Sequence, residues 1–439
     1  MVEGMQPTSS PAPTGRPVLA VLALSIGTFS LVTTELLPVG LLPLIAADLH
    51  RSLSGTGMLV SAYAAVVLVA SLPVTLLTRR VPRRILLGAT LTVFSISALA
   101  SALAPGFGAL LAARVVTAVT QAMFWSIVVS TAVGRFPADK RARVVGALFT
   151  GTALAPVVGL PLGAWVGQHA GWRVAFAGMA AIGLAVGAAA VLALPTIRPE
   201  DEPAGTGEEP HLGRYVVLLA VTALAITGMF TAYTYVTAHL VDVAGLSPSA
   251  LSPVLLVCGV AGVLGTITSS AVGPRRPRLV LTLPLAVMTG ALWLAQLAGN
   301  HVPTAVLAFS LLSFAGSGFA ADLAGRMLLI APGGTDLANA GTSSAYNLGI
   351  GGGAWLGGML VAGPGGVHGT ALAGGLFTGA ALILMLSEPG IAPVRRPGPT
   401  PEQDPGPTLE QDPRPAPKQG SHPRLRPGVA SLKSCGGRH

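Results

Sequence analysis

The sequence predicts an all-α polytopic membrane protein with twelve transmembrane helices in two six-helix bundles. Three observations predict it. Only 10% of the 439 residues are charged and the mean hydropathy is +0.70, whereas a soluble chain of this length needs far more charge to cover its surface. Charge-free runs cover 52–78, 85–113, 144–172, 174–197, 215–238, 243–274, 279–300, 302–321, 337–367 and 369–387. Each is close to or above the roughly 20 residues that cross about 30 Å of hydrocarbon as a helix. The third observation is an internal echo. "DLHRSLS" from Asp48 returns as "DVAGLS" from Asp242, "RRVPRR" at 79–84 as "PRRPR" at 274–278, and "GAWVG" at 163–167 as "GAWLG" at 353–357. The common order, at offsets of 193–194, 195 and 190 residues, indicates a duplicated six-span unit of the kind that rocks in a transporter.

Helices are expected at 17–46, 54–78, 84–104, 107–133, 142–168 and 172–194, and then at 214–240, 250–271, 278–299, 302–330, 337–362 and 368–386. Run 85–113 contains Pro105-Gly106, so it crosses, turns and starts back. The domains read as an N-terminal segment 1–16, a first bundle 17–194, a linker 195–213, a second bundle 214–387 and a tail 388–439. The first segment and the tail are Pro-rich and polar, with too little apolar surface to order themselves. The first apolar segment is long enough to span and lacks a small-residue cleavage pattern, so it does not read as an export signal.

Loop charge sets the orientation. Arg79, Arg80, Arg83 and Arg84, then Arg135, Lys140, Arg141 and Arg143, then Arg275, Arg276 and Arg278 fall in alternate loops, while Arg51 and Arg173 are nearly all that the opposite loops offer. The positive-inside bias therefore places both termini in the cytoplasm. A net charge of +9 distributed in this way orients a membrane protein, and no nucleic-acid partner is expected. The two cysteines, Cys258 and Cys435, make neither a disulfide framework nor a metal cluster. No Walker loop, HExxH helix or GxSxG elbow occurs, so the reading is not an enzyme, with no cofactor and no metal.

Charges inside the apolar spans carry the functional signal. Glu35 is the lone carboxylate between Pro17 and Ala47, and an intramembrane carboxylate lines a cavity, finds a partner or carries protons. Span 1 runs outward and span 4 inward, which puts Glu35 and Arg114 both in the outer half of the membrane, able to pair directly or through water. Burial favours a neutral carboxylate and a nearby guanidinium a charged one, so relative movement of the bundles would bind and release a proton. A static pair that fixes helix packing is the alternative. Asp322 and Arg326 stand four residues apart on span 10, as a gating or bracing pair, and Arg79 and Arg83 join them as gating candidates. Asn339, Ser343 and Asn347 share one face of span 11, polar enough to line a substrate cavity or to bond to neighbouring helices. Tyr63, Gln121, Trp125, Tyr233, Tyr235 and His239 offer aromatic and polar contacts to cargo or act as packing residues. Gly151, Gly159, Pro161, Gly163 and Gly167 give span 5 a small-residue face suited to close contact at a bundle interface, with a bend at Pro156 or Pro161.

These residues resemble those of the major facilitator superfamily, in particular the bacterial drug/proton antiporters that include sugar-efflux and chloramphenicol-export transporters. "TTELLPVGLLPLIAADL" at 33–49 is similar to the group's first span, with Glu35 at its acidic position. "RRVPRR" stands at the loop 2–3 signature but lacks its usual Gly-x-x-x-Asp beginning, and "ARVVTAVTQAMFWSI" at 113–127 places Arg114 at the arginine associated with proton coupling. "GTALAPVVGLPLGAWVG" at 151–167 resembles the antiporter motif, here through Gly151, Gly159, Pro161 and Gly163, with Leu160-Pro161 in place of the common Gly-Pro. "SAYNLGIGGGAWLGG" at 344–358 resembles span 11. The resemblance implies a monomer in a bacterial plasma membrane that exports a small amphiphilic molecule such as chloramphenicol, driven by the proton gradient, with protons, cargo and membrane lipid as its partners. Efflux of sugars or small metabolites, and a non-transporting receptor or scaffold, are the alternatives.

Overall fold

A computed structural model of the chain describes residues 15–78, 81–133, 138–193, 211–272, 279–330 and 335–387. Among them there is no strand. The first half comprises α1 (Gly15–Asp48), α2 (Leu53–Thr78), α3 (Arg83–Ala102), α4 (Phe107–Val133), α5 (Ala138–Leu154), α6 (Leu160–Ala170) and α7 (Trp172–Ala193). The second comprises α8 (Leu212–Tyr233), α9 (Val236–Ala238), α10 (Leu251–Val272), α11 (Leu279–Ala298), α12 (Val302–Leu329), α13 (Thr335–Ala362) and α14 (Gly369–Ser387). Eleven helices among the described residues are long and apolar enough to cross a membrane. Helix α13 is as long, but its Asn, Ser and Gly content leaves it less apolar. With it the twelve predicted spans are complete.

Two spans depart from single helices. The fifth breaks into α5 and α6 around a π turn, Ala155–Gly159, because Pro156 and Pro161 each remove an amide donor from the ladder. The seventh, expected to run to residue 240, ends at Tyr233. After a turn at Thr234–Tyr235 it continues as α9 and a π turn, His239–Val243. Residues 212 and 213, assigned above to the linker, already belong to α8. Arg79, most of the linker and the tail from 388 lie outside the described residues.

Within each half the fifth or eleventh span lies on the first or seventh. In the first half α1 meets α5, α6 and α7, and in the second α8 meets α13 and α14. The glycine face of span 5 was expected at the boundary between bundles, and this expectation is corrected. A Cβ at Gly151 would meet Ser25 and Thr28, one at Gly159 Thr33, and one at Gly163 or Gly167 Leu37 or Leu41. These glycines therefore seat α5 and α6 on α1 inside the first half. They recur every four or eight residues and so fall on one helical stripe. A different face of the same span meets the second half, where the backbone at Pro156 and Val157 closes on Gly259 of α10.

The halves join toward the end where α1, α3, α6 and α11 finish, termed distal here. Ser252 Oγ donates to the Pro161 carbonyl (2.8 Å) and Gln168 Nε2 to the Pro248 carbonyl (2.7 Å). Tyr235, fully buried, wedges against Gly57 of α2 and Gly357 and Gly358 of α13 and donates to the Ala354 carbonyl (3.2 Å). Apolar burial continues across this seam, with Val39, Val60, Ala64, Leu160 and Ala164 of the first half joined to the large core of the second. This packing closes the distal end.

Candidate functional site

The site begins with a helix that cannot complete its own hydrogen bonds. In an α-helix the carbonyl of residue i accepts the amide of residue i+4. Pro38 and Pro43 lie inside α1, so the carbonyls of Thr34 and Val39 have no amide to accept. In an apolar membrane interior such groups must find another donor. Arg114 of α4 supplies one to Thr34, with Nη1 at 2.6 Å, and its Nη2 reaches the Glu35 carbonyl at 3.2 Å. Thr237 of α9 supplies the other, its hydroxyl donating to the Val39 carbonyl at 3.0 Å across the boundary between the halves. A proline pair five residues apart thus creates two acceptors, one for a cation inside the first half and one for a latch between halves.

Glu35 is held next to this. Its Oε2 accepts from Gln121 Nε2 at 2.6 Å, and Gln121 Oε1 accepts from the Tyr63 hydroxyl at 2.6 Å. The Arg114 guanidinium lies 4.2 Å from the Tyr63 ring centroid, a cation–π contact strengthened by the absence of water. The Tyr63 donor orients the Gln121 amide so that its NH₂ group faces the carboxylate. Helices α1, α2 and α4 each contribute, and the holders are dry: Arg114 is 1% exposed, Tyr63 2% and Gln121 3%. Glu35 itself is only half-buried. Glu35 is thus partly exposed as a residue, while the groups that fix its carboxylate are sealed. Tyr346 of α13 lies close enough to interact electrostatically with Glu35 from the other half.

Of the direct and water-mediated pairings open to Arg114 and the Glu35 carboxylate, the direct one is not made. The guanidinium takes main-chain oxygens, because Pro38 leaves Thr34 with greater need of a donor, and Gln121 takes the carboxylate. Tyr63 and Gln121, expected as cargo contacts, belong to the acid network. Trp125 stacks on Phe149 of α5 at 6.0 Å and remains partly exposed. Tyr233, Tyr235 and His239 are 7%, 0% and 1% exposed, packed away in this distal-closed arrangement, Tyr235 also against Gly57 of α2. Asn347 turns its amide back to the Ser343 carbonyl at 2.9 Å, which satisfies it within α13. The Asn339 side chain lies outside the described residues. Asp322 takes the hydroxyl of Ser269 on α10, so its hydrogen bond joins two helices rather than two turns of one. Arg83 sits in the first turn of α3 and Arg326 in the last turn of α12.

Sequence reading missed Thr34, Val39, Thr237 and Ser269. A signal existed for the first two, since each stands four residues before a proline. Nothing local marks Thr237 or Ser269, whose partners are 198 and 53 residues away. Among the described residues no group of three or more His, Cys, Asp or Glu could hold a metal.

Comparison with solved structures gives the fold independently. The chain is similar to a bacterial homolog of the human lysosomal transporter Spinster. In its inward-facing, unoccupied conformation the TM-score is 0.64 at 17% identity, over 85% of this chain and 96% of that one. In its inward-facing, occupied conformation the TM-score is 0.66 at 16% identity, over 85% and 97%. The sequence model of the Major Facilitator Superfamily matches residues 24–329. With twelve spans in two related halves and this match across most of both, the chain belongs to the Major Facilitator Superfamily of membrane transporters.

Proposed function

We propose that the protein is a proton-coupled exporter of a small amphiphilic compound, of the chemical kind of chloramphenicol, and that Glu35 is the group that takes up and releases the proton. The observation that carries this reading is a half-buried carboxylate held by dry, hydrogen-bonded partners in an apolar bundle. A charge in such a place is costly unless it has a task or a partner, and here its partner is a neutral amide. The two bundles would exchange between a distal-closed state, as seen here, and a distal-open one. With termini in the cytoplasm the distal side is the exterior.

When Glu35 is ionised, the Gln121 NH₂ satisfies it. When a proton arrives, the carboxyl becomes a donor and no longer needs that hydrogen bond, which frees the Gln121–Tyr63 chain to shift. Arg114 would serve as a positioning residue that keeps α1 against α4 through the Thr34 carbonyl. Cargo would meet Glu35 and Tyr346, an acid and an aromatic phenol near each other across the halves, a combination that suits an amphiphile. The resemblance to drug/proton antiporters supports the export direction. The Spinster homologs share only the fold.

The test is proton release from purified protein in detergent on addition of a phenicol, for wild type and Glu35→Gln. Release by wild type and none by a folded Glu35→Gln variant is the expected result. Phenicol binding without proton release in wild type would overturn the coupling. Sugar-induced release with no response to phenicols would reassign the cargo to sugars.

A further inference from the structure

Beyond Glu35, the described membrane core holds a second cluster of titratable groups that the coupling scheme does not use. His239 stands at the start of the π turn that follows the apolar span Leu212–Tyr233. It is 1% exposed, and neither ring nitrogen makes a well-formed hydrogen bond. Its ring lies edge-on to Phe309 of α12 at 5.2 Å, and Nε2 faces the Gly299 backbone between α11 and α12. The remaining neighbour is His368, in the turn before α14, stacked at 6.1 Å with an interplanar angle of 27°. The Nδ1 of His368 is also buried without a partner.

A buried imidazole whose nitrogens lack well-formed hydrogen bonds is costly, and the unpartnered Nδ1 of the neighbouring, partly exposed His368 adds to that cost. A divalent metal is disfavoured, because two neutral nitrogens in a dry pocket cannot offset the desolvation of a double charge. A single proton is the ligand that fits, since an imidazolium can share it with a neutral imidazole. The other titratable groups on the surrounding elements are Asp242 on the same turn and His301 before α12, and both are exposed. His368 is therefore the group that faces His239 directly.

Two residues before His239, on the short helix α9, stands Thr237, whose hydroxyl holds the Val39 carbonyl of the other half. Tyr235, the wedge between α2 and α13, accepts the His239 amide at its carbonyl (2.8 Å). Any rearrangement that brings the rings together or admits water must move the segment that carries the distal latch.

We propose that His239 and His368 form a second proton-binding site, separate from Glu35, and that its protonation from the distal side releases the Thr237 latch and opens the distal end. The sign follows from linkage. In the closed state the His239 ring is packed dry against Phe309 and His368, a place that holds a cation less well than water does. A state that excludes the protonated ring loses its advantage as the pH falls through the range in which a hydrated imidazole, at about 6.5, takes up its proton. Acid thus favours the open state, by at most about tenfold in the open-to-closed ratio per pH unit. The inference requires a transporter that exchanges between two states, but neither Glu35 nor a particular cargo.

The experiment measures the distance between spin labels at Leu103→Cys and Leu297→Cys, both on exposed distal positions of opposite halves. Cys258 and Cys435 are replaced by Ala, and Glu35→Gln is present throughout, so that failure of the Glu35 reading has no bearing on the outcome. Acidification from pH 7.5 to 4.5 is expected to populate a longer distance in this parent, and His239→Gln to abolish the response. No acid response in the folded parent, or an unchanged response in His239→Gln, overturns the proposal. Should His239→Gln fail to fold, His368→Gln decides: a displaced midpoint supports a shared proton, and an identical titration overturns it.

Discussion

The two halves are built on one plan and filled differently. In the first, the stripe Gly163–Gly167 lets α6 approach α1, and in the second Gly353 and Gly357 let α13 approach α8. Trp165 and Trp355 occupy the same place in the two "GAW" motifs and are about equally exposed, at 50% and 57%. Yet a Cβ at Gly163 would meet the end of the Leu37 side chain, whereas one at Gly353 would meet the Thr227 carbonyl and the Thr231 amide. The first half contains the dry Arg114–Tyr63–Gln121–Glu35 arrangement. At the corresponding places, about 194 residues on, stand Met229 and Ala308, both in apolar surroundings. Duplication supplied the scaffold, and the dry network around Glu35 resides in one copy. The second copy contributes to the seam the Thr237 and Ser252 hydroxyls and the Pro248 carbonyl, with Tyr235 as an apolar wedge.

That asymmetry can be broken most severely at Glu35. Glu35→Gln is expected to lower proton-driven flux in liposomes to that of empty vesicles while leaving the thermal unfolding midpoint near wild type. Substituting Met229 by Leu should leave flux intact, and comparable losses at both positions would show that the halves share the task. The next effect is on stability. Gly353→Ala places a methyl against backbone and should cost roughly 1–3 kcal/mol, as overpacking does. Gly163→Ala meets a leucine that can turn aside and should cost less than about 1 kcal/mol. Thermal midpoints in detergent measure both, and the reverse order would refute the packing difference.

A smaller effect concerns the latch. Thr237→Val removes one hydrogen bond, about 1 kcal/mol, and should lower the closed-to-open ratio about fivefold, as read by label distances. Pro43→Ala returns an amide to the Val39 carbonyl, so in that background Thr237→Val should be nearly silent. Additive effects in the double mutant would count against the shared carbonyl. The smallest change is expected at Ser269→Ala, which deprives Asp322 of a neighbour that water can replace at a half-exposed site. It should alter transport less than any substitution in the Glu35 network, and a loss equal to that of Glu35→Gln would move Asp322 into the coupling machinery.

Much of this was legible in the chain. Hydropathy and loop charge disclosed the spans because the bilayer leaves a polypeptide few ways to satisfy its backbone. The boundaries of most helices fall within two or three residues of expectation, and the deviations occur where Pro156 and Pro161 widen a turn and where Thr234–Tyr235 interrupts span 7. Glu35 and Arg114 stood out because ionisable groups are rare in such segments. Their partners did not, since polar residues such as Gln121 and Tyr63 serve equally well as cargo contacts or as holders of a carboxylate.

By itself, then, the sequence determined the class of protein, its duplication, the number of spans and the residues that carry buried charge, all of which follow from the cost of exposing polar groups to hydrocarbon. It also contained, at Pro38 and Pro43, the two missing amides of α1. Only the tertiary structure decided which donors fill those places. It put Arg114 on the main chain and Gln121 on the carboxylate, turned the span 5 glycines toward α1 rather than toward the second half, and brought Thr237 to Val39. A freed carbonyl accepts whichever donor the packing brings within about 3 Å, and that choice depends on helices far apart in the chain.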